Sequence, residues 1–156
     1  MAEVTVETVL NQLQAILKEA MQGGESLSYF TDPASDEGLL AYLEKISYTQ
    51  ALEPHGGSAL AAHVYHLTFS MAASKAWIEG DRNPEEWEKS WLSPEFSAED
   101  WQRLRKDLLT HYQDLMQAIE QHAASSEEAM GGALGAVTQV TYHLGAIRQK
   151  MIVGTA

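Results

Sequence analysis

The sequence predicts an all-α protein built on four long helices, and three observations carry that reading. Apolar residues recur at spacings of three and four along four extended stretches. Clusters of glycine, proline and serine separate those stretches, and no segment of useful length alternates in the manner of a strand. The 156 residues suit a single domain spanning 1–156, with enough chain to bury a real core. Apolar residues make up 45% and charged residues 21%, so the core needs no disulfide scaffold; with no cysteine, none can form.

The first long helix is expected from about Thr5 to Met21, with Val6, Val9, Leu13, Ile16 and Leu17 on its apolar side and Gly23-Gly24 ending it. Ser26 to Asp36 holds Asp32, Pro33 and Ser35 and reads as a loop. A short helix follows, with Leu39, Leu40, Leu43 and Ile46 on one side. Pro54-His55-Gly56-Gly57 interrupts the chain again, and Ser58 stands where it can cap the second long helix. That helix runs through His63 and His66 to about Ile78, and Gly80 fits its stop.

Asp81 to Pro94, with Asn83-Pro84 and Ser93-Pro94, reads as a long connection holding one short helix. Its tryptophans, Trp87 and Trp91, are four residues apart and can cover one patch of core from outside. Ser97-Ala98-Glu99-Asp100 resembles an N-cap with an acidic first turn, Asp standing where a capping box prefers Glu or Gln. It opens the third long helix, whose Trp101, Leu104, Leu108, Tyr112, Leu115 and Ile119 keep helical spacing. Ser125-Ser126 breaks the pattern, and the fourth long helix carries Ala133, Val137, Val140, Leu144, Ile147 and Met151. The stripe from Trp101 to Leu115 is expected to be buried and to face Val137, Val140 and Leu144.

Ten Lys and Arg stand against 22 Asp and Glu, a formal charge of -12. Such a surface repels phosphate backbones and anionic lipid, which argues against nucleic-acid and membrane partners. The acidic residues are scattered, as on a solvated face. No apolar run approaches the roughly 18 residues of a membrane span, and Met1 to Glu7 holds no basic leader; a cytoplasmic location is the expectation.

Two segments carry candidate chemistry: His63-Val64-Tyr65-His66-Leu67, and Gln139-Val140-Thr141-Tyr142-His143-Leu144-Gly145-Ala146-Ile147-Arg148-Gln149. His63 and His66 are three apart, and Gln139 and His143 four apart, so each pair shares one helix face. A single histidine in an apolar helix is ordinarily a hydrogen-bonded core group. Two such helices in one small bundle point instead to a metal site of nitrogen and oxygen donors. Gly131, Gly132, Ala133, Gly135 and Ala136 crowd the start of the fourth helix, where they serve either close helix packing or open space above the histidines. His111, His122 and His55 carry no assigned role, and no phosphate loop, nucleophile elbow or zincin motif occurs.

Ala59-Leu60-Ala61-Ala62-His63-Val64-Tyr65-His66-Leu67 and Tyr142-His143-Leu144-Gly145-Ala146-Ile147-Arg148-Gln149 resemble the DinB-like superfamily of damage-inducible bacterial proteins, a resemblance that extends over nearly the whole chain. It implies a four-helix bundle in an up-down-down-up arrangement with short extra helices in the connections, and a homodimer. It also implies a divalent metal (nickel, zinc, iron or manganese) held by three histidines. Carried over by position, two of those ligands fall on His66 and His143, and the third falls on Gln139, where this chain departs from the pattern. A neutral amide oxygen is a poorer ligand than imidazole for such ions. His63, one turn from His66, can supply the missing nitrogen and leave Gln139 behind the ligands. The implied activity is metal-dependent chemistry of the thiol-transferase or hydrolase type on a small molecule, with a low-molecular-weight thiol as co-substrate. The alternative is a non-catalytic small-molecule-binding or stress-response protein with a weakened metal site. Arg148 is a candidate for orienting an anionic substrate.

Overall fold

The computed structural model describes residues 3–26, 28–34, 37–54, 56–91 and 95–154, the side chains as far as 151. Ser35, Asp36, His55, Ser93 and Pro94, which figure in the loop and breaker assignments above, lie outside the described residues. The described residues hold helices and no strands. The long helices are α1 (Val6–Gln22), α4 (Leu60–Ile78), α5 (Ala98–His122) and α6 (Glu127–Gly154), with short α2 (Leu39–Glu44) and α3 (Tyr48–Leu52) between the first two. One-turn 3-10 segments occupy Trp87–Trp91 and Ala123–Ser125.

Local chemistry sets the ends. Thr5 caps α1 by accepting from the Thr8 amide, and Gly23, at φ 95, ends it in a conformation that favours glycine. Gly80 does the same beyond α4, at φ 102. Asp100 completes a reciprocal capping box with Ser97 despite its short side chain. Ser58 does not cap α4: the N-cap is Ala59, with no side-chain hydrogen bond. The short α3 was not expected, although Ser47-Tyr48-Thr49-Gln50 spells a capping box and forms one.

α4 is the central helix, packed against both α5 and α6, while α1 packs against α6 and α5. Trp101, Leu104, Leu108, Tyr112 and Leu115 are buried as expected. The direct neighbours of α5 are α4 and α1, however, and α6 packs along the other flank of α4. The buried apolar side chains form one continuous cluster drawn from all four long helices and from α2. Because α4 is enclosed on both flanks, polar residues on it are buried too: His66, Thr68 and Ser70. No described helix is long and apolar enough to cross a membrane.

Candidate functional site

His63 and His66 from α4 meet His143 from α6 under the Trp87–Trp91 segment. The His143 ring centroid lies 5.4 Å from that of His63 and 4.9 Å from that of His66. Trp91 stacks on His66 at 3.9 Å with planes 16° apart, and its edge meets His63 at 5.7 Å. The two tryptophans therefore do cover one patch from outside, and the patch is the histidine cluster.

Ser90, fully buried, fixes the His66 ring. Its hydroxyl donates to the Trp87 carbonyl at 2.6 Å and lies 2.8 Å from His66 Nδ1. A hydroxyl has one proton, so with that proton on Trp87 the serine oxygen must accept from His66. His66 is then the Nδ1–H tautomer, and its Nε2 lone pair is free. Nothing in the residue pattern singled out Ser90; a serine between exposed tryptophans looks like any loop serine.

His63 Nδ1 and His143 Nδ1 are 3.2 Å apart. Burial lowers the pKa of all three imidazoles, that of His143 to about 4, with the neighbouring histidines adding to the effect at His143. All three are neutral near pH 7, and one of the two facing Nδ1 atoms donates to the other. A separation of 3.2 Å also suits two nitrogens on one tetrahedral ion, which sit roughly 3.3 to 3.4 Å apart for bonds of about 2.0–2.1 Å. The pair fits an ion, but a preassembled triad does not exist: among the described residues, no group of three or more His, Asp or Glu side chains is arranged to hold one.

Gln139 is exposed and lines a separate groove between α4 and α6, with no hydrogen bond to the histidines among the described residues. Arg148 is likewise apart. It donates to the Glu37 carbonyl at 3.4 Å and lies 5.3 Å over the Tyr42 ring, tying α6 to the region of α2. Among the glycines of α6, Gly132 serves close helix packing. A Cβ on Gly132 would come within 2.7 Å of Trp77, whereas one on Gly135 would meet nothing within 4 Å.

Searches against protein-family models, curated proteins and solved structures find no match to this chain.

Proposed function

We propose that the histidine cluster is a conditional divalent-ion site on a DinB-like helical bundle, and that the chain is a metal-dependent enzyme of the thiol-transferase or hydrolase type. The observation that carries this reading is the 3.2 Å approach of His63 and His143 Nδ1 beside the oriented ring of His66. His63 and His143 would hold the ion through Nδ1, and His66 would join through its free Nε2 after a change in ring position. Neutral imidazoles favour this, because no net proton is lost: the one Nδ1–H between His63 and His143 has only to move to Nε2 of its own ring. When bound, such an ion supplies Lewis-acid activation of a thiol or water near neutral pH. The residues do the rest: Ser90 holds the His66 tautomer, and Trp91 shields the cluster from water.

A second reading rests on a specific observation of its own. The cluster satisfies itself without an ion, His63 pairing with His143 and His66 with Ser90. That arrangement supports a non-catalytic binding protein whose metal site has weakened.

Calorimetric titration with zinc and nickel separates the two. On the first reading the wild type takes up about one ion per chain, His143→Ala abolishes uptake, and His63→Ala weakens it as much as His66→Ala. Gln139→His strengthens binding if that position can turn toward the cluster. Absence of uptake by both the wild type and Gln139→His leaves the second reading.

A further inference from the structure

Beyond the histidines, the seam between α4 and α6 opens into a groove of about 480 Å³. Ser70 follows His66 by four residues and Gln139 precedes His143 by four, so these groove residues stand about one helical turn, roughly 6 Å along the helix axis, from the histidines. Trp87 belongs to both places: it lines the groove, and its ring lies 6.3 Å from that of His66.

The lining is unusual in its hydrogen bonding. A serine inside a helix commonly returns its hydroxyl to the carbonyl one turn back, as Thr68 does to Val64 at 2.8 Å. Ser70 is only 2% exposed, yet its hydroxyl has no partner among the described residues. The hydroxyl is therefore open to the groove and available to a ligand's donor or acceptor. The Ser74 hydroxyl and the Gln139 amide also line the groove without partners among the described residues. Trp87, 45% exposed, offers an indole face.

Charge narrows the ligand class. The one cation of the lining, Arg82, is already engaged: it donates to the Trp77 and Asp81 carbonyls and sits 4.1 Å over the Trp77 indole. Glu85 beside it carries the opposite sign, and the chain as a whole is at -12. An anion therefore finds no unengaged cation there, and a cation meets Arg82.

We propose that this groove binds an uncharged ring compound bearing hydroxyl or amide groups. Its flat apolar face would lie on Trp87 and its polar edge on Ser70, Ser74 and Gln139, with one end toward the histidines. Cyclic polyols and heterocyclic amides share this chemistry. The proposal goes beyond ion binding and does not depend on it, because the test uses metal-free protein.

The full chain, treated with EDTA, is titrated with myo-inositol, methyl glucoside, uracil and nicotinamide, with benzoate and choline as charged counterparts. The readouts are tryptophan fluorescence and the Trp87 indole N–H resonance. A saturable response to a neutral probe is expected, and whether the polyols or the heterocycles give it identifies the source. Ser70→Ala should weaken binding about tenfold, although loss of an unpartnered hydroxyl would leave a merely structural serine site indifferent. Gly135→Leu should abolish binding while the protein stays folded, since a Cβ there has open space and the helix gains from losing glycine. The proposal is overturned if no neutral probe saturates, if benzoate or choline binds more tightly, or if binding survives either substitution unchanged.

Discussion

Two ionisable groups lie beneath the surface of this bundle in opposite charge states, Glu19 near the end of α1 and His143 in α6. Glu19 sits in the last turn of its helix, where a negative charge opposes the dipole, and is 5% exposed. Its carboxylate nevertheless accepts from the amides of Tyr29, Phe30 and Thr31 and from the Thr31 hydroxyl, at 2.8 to 3.1 Å. Burial alone would raise its pKa; those hydrogen bonds outweigh burial and lower it, so the charge is kept. His143 has the imidazoles of His63 and His66 and the rings of Trp91 and Tyr142 about it, none of them an anion, and burial strips it of its proton. A buried charge survives where the backbone bends round to supply donors. Where only side chains converge, the group turns neutral, and its lone pairs become available for chemistry.

The largest effect that could break this comparison is at Glu19. Glu19→Ala takes the acceptor from the buried Thr31 amide and hydroxyl and from the part-buried Tyr29 and Phe30 amides, and at about 1 kcal/mol for each of these groups the expected loss is about 4 kcal/mol. Glu19→Gln keeps one acceptor oxygen and should cost less. Urea unfolding of both variants measures it. A loss below about 1 kcal/mol for the alanine would mean that the loop finds other acceptors and that Glu19 does not organise it.

Acidification should separate the two groups by pH. His143 titrates at about 4 in the folded protein against 6.5 ordinarily. The unfolded chain therefore binds more protons between those values, and stability falls as pH drops through that window. The loss attributable to His143 should be on the order of 3 kcal/mol by pH 4, with a flat profile above about 6.5. His63 and His66 act in the same sense. Glu19, its pKa lowered, holds its contribution above the ordinary carboxylate range and yields it only at lower pH. Urea midpoints from pH 7.5 to 3.5, for the wild type and His143→Gln, test both halves. A slope between pH 6.5 and 4 that persists undiminished in His143→Gln would assign it elsewhere.

The same contrast explains what could be read from the residues. Patterns with a period were legible: the Trp101-to-Leu115 stripe, the glycine stops at Gly23 and Gly80, and the facing of His66 and His143. Each depends on one helix or on two strongly apolar ones. What escaped depends on contacts between distant, aperiodic pieces. Glu19 shares its turn with the fully buried Leu17, Ala20 and Met21, a signal that could have marked it as an enclosed acid, but its partners lie ten to twelve residues on in a loop. The diagonal placing of α5 and α6 follows from the whole bundle and from neither stripe. Gln139 shares a helix face with His143, but one turn is enough to carry it out of the cluster and into the groove.

The smallest expected effect sharpens the comparison most, because Ser90 is the closest thing the histidine cluster has to the loop around Glu19. Its oxygen accepts from His66 only because its own proton is committed to the Trp87 carbonyl. Ser90→Ala removes that acceptor and strands a ring N–H in a buried place, at a cost of about 1 kcal/mol. The ring is no longer bound to its present tautomer, and the Nε2–H form becomes available. Long-range 15N correlation spectra distinguish the two nitrogens directly. In the wild type Nδ1 should carry the proton and Nε2 should appear as a bare lone pair; in Ser90→Ala the Nε2–H form should become detectable. Because an Nε2–H ring has no lone pair there to offer, zinc or nickel uptake by the variant should weaken along with the tautomer shift. An unchanged His66 tautomer together with unchanged stability would show that Ser90 fills space and does not hold the ring.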